Sequence, residues 1–504
     1  MAEPQPGPAS GAPIASAATP SGAATAGGEG SASAAPTASG PGPGPASSAP
    51  TASGAPTASG PGPGPASGAR PAATAGGAAT AGGELPLAGL RVIDVGTRIG
   101  APFCAGLLGE MGAEVIKVED PSGGDFMRTI GPFVTPGDRP ATDSASGDAG
   151  DASKTAGAGE VGYSLWWAVE GRGRKGVTLN LREPAGQALF RRLAATADVV
   201  CENFRPGTVE RWHVGPDDCD PRLVWARISV FGQDGPYAPR PGLDRMGIAY
   251  GGLLQVTGFD DRPPVRPGIT ISDYLTGAFA AEAVVAGLYR RDRPGGTGRG
   301  GVVDAPLYGS ILRVMEWTVA GYDRLGLVRG RHGNRVPTSA PLDNYPTADG
   351  AYVCVVAGSD ANFARLCQAM DRPDLLDDPR WATLASRAEH ADEINGIVTD
   401  WTLSRSAADV EERCIANGVP VATAYTAEDM LADPHMAARG DFVTVDDPVA
   451  GPHRQQAPYP RLDGRPPVAP APAPTLGQHN HEVWCDLVGL SSDELATHQS
   501  TGVI

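Results

Sequence analysis

The chemistry-bearing side chains of this chain are one acid and a small set of arginines. Asp273 stands between a tight apolar approach, Gly268 to Ser272, and a long run of small residues from about Tyr274 to Arg290 that reads as a helix. An acid at a helix mouth accepts hydrogen bonds from free backbone N–H groups and sits at the positive end of the helix dipole. The same field keeps the carboxylate ionised and therefore nucleophilic. The local sequence leaves both roles open, plain N-cap and nucleophile. The second group is Arg182, Asn203, Phe204, Arg205 and Arg211, at or just past the ends of two valine-rich runs. Guanidinium forks suit phosphate, and a ring such as Phe204 stacks on a base. Each arginine alone reads as a surface charge; at successive strand ends they suggest a nucleotide-like phosphate ligand.

The elements that must position these residues alternate strand and helix. Residues 91–95 and 114–119 read as buried strands around a helix opening at Pro102, and the alternation continues with strand 176–180, helix 184–197, strand 199–202 and strand 223–232. In an open α/β sheet, ligands gather at the carboxyl ends of the strands. The first βαβ unit invites a dinucleotide reading, with Glu119 where a ribose-binding acid would fall. Its bend, however, runs Gly96-Thr-Arg-Ile-Gly100-Ala-Pro102 and lacks the GxGxxG glycines that cradle pyrophosphate. A Gly/Pro-rich connection at 233–262 carries a short amphipathic helix, and another helix spans about 312–322. A hairpin around Ala348-Asp349-Gly350 and a helix at 361–370 open a region of different texture, read as a smaller α+β domain. The chain from Pro434 reads as irregular and Pro-rich, with closing helices that dock back on the first domain. The expected division is a large α/β domain at 85–320, a linker and small domain at 321–433, and a returning segment at 434–504.

Composition bounds the rest. Residues 1–84 are almost wholly Ala, Gly, Pro, Ser and Thr, and APTASGPGPGPAS occurs at 35–47 and again at 55–67. Such a segment buries too little apolar surface to offset its conformational entropy and is expected to be disordered. Residues 129–160 read as a low-complexity insertion. The net charge is −17, of which the first 84 residues hold −2 (Glu3, Glu29 and Glu84 against Arg70), leaving −15 on the body. Such a body is a poor nucleic-acid binder, so an anionic ligand needs local arginines to overcome the global field. Seven scattered cysteines without CxxC spacing imply reduced thiols in a cytoplasmic protein. The histidines form no ligand cluster, His479 and His481 in TLGQHNHE reading as a surface turn, so no metal is expected. No stretch reads as long and apolar enough to span a membrane.

With these residues laid out, the chain resembles the family III CoA-transferases, the CaiB/BaiF family that includes formyl-CoA:oxalate transferase and α-methylacyl-CoA racemase. The resemblance covers about Leu85 to Ile504. It rests on LAGLRVIDVG…GAPF…LGEMGAEVIKVE, GRGRKGVTLNLREPAG, DVVCENFRPGTVERW, SVFGQDGPYAPRPGLD, the acid in ITISDYLTG, the exit TGRGGVVDAPLYGS, and TLGQHNHEV. Any one is weak; their order and spacing together are highly specific. The resemblance implies a Rossmann-like large domain built from both ends of the chain, a smaller second domain and an interlaced homodimer. It places the nucleophile at Asp273 and CoA contacts at Ile99, Gly100, Leu179, Asn180, Leu181, Arg182, Asn203, Phe204, Arg205 and Arg211.

The implied reaction moves CoA from an acyl-CoA donor to a carboxylic acid acceptor through aspartyl anhydride and thioester intermediates, with the CoA thioester as substrate and no permanently bound cofactor. Three departures narrow it. Formyl-CoA transferases carry a glycine run that shields the intermediate, whereas residues 325–344 offer only GRHGN. The racemase branch pairs its Asp with a His where this chain has Leu243, and Ile99 replaces a polar residue of the formyl-CoA branch. The alternatives are an acyl-CoA racemase or isomerase of the same family and a non-catalytic CoA-binding paralogue.

Overall fold

Six short strands carry the first half of the chain: β1 (Arg91–Asp94), β2 (Glu114–Glu119), β3 (Lys175–Thr178), β4 (Val199–Glu202), β5 (Val224–Ser229) and β6 (Gly301–Pro306). The computed structural model describes residues 85–135 and 162–504. The expected disordered tail, 1–84, and most of the expected insertion lie outside these residues. Of the insertion, Phe133–Val134 is seen to pair antiparallel with Tyr163–Ser164.

All six strands are parallel, in the order β3-β2-β1-β4-β5-β6. This mixed α/β arrangement has the strand order of doubly wound nucleotide-binding sheets, with its switch point between β1 and β4. A parallel sheet covered on both faces needs strands apolar on both faces, which is why valine recurs in every one of these strands. Ile93, Ile116, Val200 and Trp225 point into one core, Val92, Val115, Val199 and Val224 into the other. The first core also takes Val483, Trp484, Leu495 and Ile504 from the chain's last residues. The TLGQHNHE segment is more than a surface turn. It runs along the outer edge of β3, where His479 Nδ1 accepts from the Gly176 N–H at 3.0 Å and Asn480 Oδ1 from the Thr178 N–H at 2.9 Å. An edge strand needs such partners for its free donors.

The second core is sealed by two helices, α1 (Gly100–Glu110) and α2 (Ile271–Asp292). Both present small residues to each other: Ala101, Cys104 and Ala105 against Gly277, Ala280 and Ala281, all buried. A Cβ on Gly277 would lie 2.8 Å from the Gly100 carbonyl oxygen and 3.0 Å from the Phe103 ring. The two helix backbones therefore touch at the point where α1 begins. α2 starts at Ile271, three residues before the expected start, and it is also long and apolar enough by length and composition to cross a membrane, correcting the reading above. The helix expected at 312–322 is two, Leu307–Arg313 and Thr318–Leu325, broken where Glu316 takes a left-handed φ of 52°.

Farther on, Leu342–Pro346 and Tyr352–Val356 form the expected hairpin, extended by Val421–Thr423 into a three-stranded antiparallel sheet over Tyr345, Phe363, Trp381 and Trp401. The segment past Pro434 holds a second hairpin, Phe442–Asp447 with Gly451–Gln456, where irregular chain was expected. Phe442, Val443 and Val445 supply a weak alternation that the surrounding prolines mask.

The tight meeting of α1 and α2 has a measurable consequence. A methyl group at position 277 meets backbone, which cannot rotate away. Gly277→Ala is therefore expected to destabilise the fold by about 1–3 kcal/mol, read as a lower midpoint in urea unfolding with an unchanged slope.

Candidate active site

Asp273 is the third residue of α2, not its cap. Thr270 holds the N-cap position and makes no side-chain cap hydrogen bond. The capping duty falls to Asp244, at the start of the helix Asp244–Tyr250: its Oδ1 accepts from the Ser272 N–H at 2.9 Å and from the Ser272 hydroxyl at 2.8 Å. Asp273 is thereby released from the bland role that its sequence position suggested. Its carboxylate turns toward α1, where a Cβ on Gly100 would stand 3.1 Å from Oδ1. A methyl group at this position would press on that oxygen and on Ile228, so glycine suits so close an approach of the first turn of α1.

The helix field does not keep Asp273 strongly acidic, contrary to expectation. Its pKa is pushed up to about 7, first by burial and then by the negative Asp244, against the pull of Arg98 and of the Gly100 amide. Desolvation penalises the charged form more than a helix terminus stabilises it here. A carboxylate with this pKa is divided between acid and base near neutral pH.

The bend before α1 is held by buried charge. Lys117 Nζ, wholly buried, lies 2.9 Å from Asp125 Oδ2 and 3.4 Å from Asp94 Oδ2, and also reaches the Gly96 carbonyl. Asp94 accepts from the Gly96 N–H at 3.0 Å, and Asp125 Oδ1 accepts from the Thr97 hydroxyl at 3.1 Å and the Arg98 N–H at 3.0 Å. Burial opposes the charge on Asp125, but Lys117 and the backbone donors hold its pKa below the ordinary range.

A cleft of about 410 Å³ opens over this bend at the carboxyl ends of β1 to β4. Of the residues singled out from sequence, Leu179, Leu181, Arg182 and Phe204 line it. Arg182 is exposed and paired with Asp120 at 2.5 Å, a surface ion pair that contributes little to stability. Phe204 packs edge-on against Trp212, which shares the wall. Asn203 does different work: its side-chain oxygen accepts from the Thr97 N–H at 2.8 Å and its amide donates to the Thr97 carbonyl at 2.7 Å, so both ends clamp the bend. Asn180 Oδ1 accepts from the Arg182 N–H. Ile99 is buried with Met127 and Trp167, leaving its backbone to face the bend. Arg205 and Arg211 are exposed outside the cleft wall, Arg211 donating to Thr208 at 2.9 Å. The wall also contains Asp120, Gly123, Gly124 and Phe126, which the sequence reading passed over. The glycine pair after β2 was the signal available for them.

The raised pKa of Asp273 is also a statement about stability. The unfolded chain ionises this group near about 3.9, the folded chain near 7. Between those values the folded state holds more protons, so this group's contribution falls as pH rises toward 7 and is level above. Asp273→Asn is expected to melt higher than the parent protein, by a margin that widens from pH 5 to 7 and then stays constant, measured by calorimetry across pH.

Comparison with known proteins gives this geometry a family. The model of CoA-transferase family III matches residues 87–480. A succinyl-CoA–D-citramalate CoA-transferase of Chloroflexus aurantiacus is 41% identical over 422 residues, covering 83% of this chain and 98% of that protein. A succinate–glutarate CoA-transferase of Agrobacterium fabrum is 32% identical, covering 80% of this chain and 96% of that one. The crystal structure of a CaiB/BaiF family protein from Brucella suis superposes with a TM-score of 0.68 at 28% identity, over 80% of this chain and all of that one. A parallel sheet with a nucleotide-type switch point, an acid turned toward a glycine at a helix start, and relatives matched along almost their full length agree, and the chain belongs to CoA-transferase family III.

Proposed function

We propose that this enzyme transfers CoA from succinyl-CoA to a short dicarboxylic acid, with Asp273 as the covalent nucleophile. The observation that carries the reading is the placement of Asp273: freed from capping by Asp244, half-buried, and turned onto Gly100 at the end of the bend that floors the cleft. The donor and acceptor class follow the printed activities of the relatives, which share succinyl-CoA or succinate and pair it with citramalate, malate or glutarate.

The steps balance without a net proton. The Asp273 carboxylate attacks the thioester carbonyl, the C–S bond breaks, and CoA thiolate leaves an acyl-aspartyl anhydride. The thiolate then attacks the Asp273 carbonyl carbon, expelling succinate and forming an aspartyl-CoA thioester. The acceptor carboxylate repeats the exchange in reverse, and Asp273 is released as the carboxylate. Splitting one acyl transfer into several is what a covalent nucleophile contributes, and the Gly100 N–H, which meets the Asp273 carboxylate, supports this reading as a donor to an oxyanion on the aspartyl carbon. CoA lies in the cleft over β1 to β4, with Arg182 exchanging Asp120 for a phosphate. Racemisation needs a second base where Leu243 stands exposed.

A homodimer fits the surface. Val319, Tyr322, Leu325 and Val328 are between 60% and 77% exposed along one stretch, an apolar strip longer than a monomer ordinarily leaves to water. The interlaced form and the two-domain division remain part of this proposal.

Intact-protein mass spectrometry with a panel of acyl-CoAs, quenched with hydroxylamine or borohydride, tests the mechanism. A sensitive adduct mapping to Asp273 is expected, forming fastest with succinyl-CoA, half-maximal near pH 7 and constant above, because the nucleophile must be deprotonated. Asp273→Ala is expected to lose adduct and turnover while retaining CoA, and Arg182→Ala to weaken CoA binding about tenfold. Normal turnover by Asp273→Ala would sink the proposal.

A further inference from the structure

Arg98 has a conformation and an environment that its backbone does not need. Its φ is 66°, the left-handed region that a side chain with a Cβ rarely enters. The bend holds it there from both sides: the Arg98 N–H donates to Asp125 Oδ1 at 3.0 Å, Thr97 is clamped by Asn203, and Asp125 is fixed by Lys117. A glycine would take the same turn without strain. The result of the strain is the placement of one guanidinium. Its carbon lies 3.9 Å above the centre of the Phe126 ring, which is part of the cleft wall. Stacking occupies the face of the guanidinium and leaves its edge, the planar fork of N–H donors, free to meet a carboxylate.

The neighbouring cations are committed. Lys117 is paired with Asp125 and Arg128 with Glu119 at 2.7 Å, and Arg182 is assigned to a CoA phosphate in the function proposed above, whereas Arg98 forms no salt bridge among the described residues. It is also two residues from Gly100, the residue against which Asp273 rests. Transfer of CoA between two acids brings a second carboxylate beside Asp273 in a protein of net charge −17. The reacting carboxylate of the substrate becomes neutral in the anhydride and thioester. A distal carboxylate stays charged through every intermediate, so it needs a partner that persists through every step.

Building on the function proposed above, we propose that Arg98 is the specificity-determining residue for the acyl group: the free edge of its guanidinium receives the distal carboxylate of a short dicarboxylic acid, both as the acyl chain of the donor and as the incoming acceptor. Arg98 touches the end of the substrate that does not react. Discrimination therefore comes from an ion pair that an apolar acyl chain cannot make, which leaves the guanidinium without its partner.

The test compares succinyl-CoA with butyryl-CoA, which has the same carbon count and no second carboxylate. In the parent enzyme the rate constant for forming the Asp273 adduct is expected to be at least about a hundredfold higher for succinyl-CoA. Arg98→Met removes the charge and Arg98→Gly also relieves the backbone, so the second folds at least as stably as the parent. Measured at about pH 9, where Asp273 is ionised with or without the pull of Arg98, both are expected to lose the hundredfold preference, through a fall with succinyl-CoA and not with butyryl-CoA, while Arg98→Lys retains part of it. Equal loss with both esters would assign Arg98 a role in setting the bend or Asp273 and overturn the proposal, as would an unchanged preference in either neutral variant. Failure of the underlying function looks different: the parent enzyme then forms no adduct with any ester. In that event calorimetric titration of succinate into the CoA-bound protein decides, with equal affinity in the parent and Arg98→Gly proteins overturning the assignment.

Discussion

One buried ammonium group fixes the geometry of the whole site. Lys117 is fully enclosed at the end of β2, between Asp94 of β1 and Asp125 of the following loop. Stripping it of either carboxylate leaves an uncompensated charge, a loss on the order of 3–5 kcal/mol. Through Asp94 it sets the Gly96 N–H and orients Arg174, whose other arm reaches the Pro102 carbonyl at the start of α1. Through Asp125 it sets Thr97 and Arg98. The bend takes its shape from charges in the sheet beneath it, which is how it does without the glycine fingerprint of dinucleotide sites.

The second constraint is steric. Because α1 and α2 meet through glycine and alanine, the start of one helix is pressed onto the first turn of the other, and close packing brings the Gly100 amide to the Asp273 carboxylate. Asp244 completes the arrangement from a third helix by taking the Ser272 amide. The acid is thus left with little water and a negative neighbour, and its proton affinity rises accordingly. Three separate segments must agree in position for one carboxylate to be both accessible and half-protonated near neutrality.

Much of this was legible in the chain. Buried parallel strands announce themselves as valine and isoleucine runs, and a long small-residue helix with an acid near its start drew attention to Asp273. What escaped was what depends on partners distant in sequence. Nothing near Asp244 says that it caps a helix 28 residues on, so the local sequence left the capping role of Asp273 open. Nothing near Asn203 says that both ends of its amide serve Thr97, 106 residues earlier, so its part in holding the bend was not visible. Arg98 looked like one more residue of a bend, because a backbone angle is not written in side-chain type. The hairpin at 442–456 was hidden by composition, since prolines on either side outweigh a short alternation.

The pairing of Phe133–Val134 with Tyr163–Ser164 has a topological meaning. It brings the chain on either side of residues 136–161 together, so the body closes on itself at this point. Closing a loop there costs only about 0.6 kcal/mol for each doubling of its length. The paired strands thus mark a graft point at which a reporter domain could be inserted with the sheet, the bend and the cleft undisturbed.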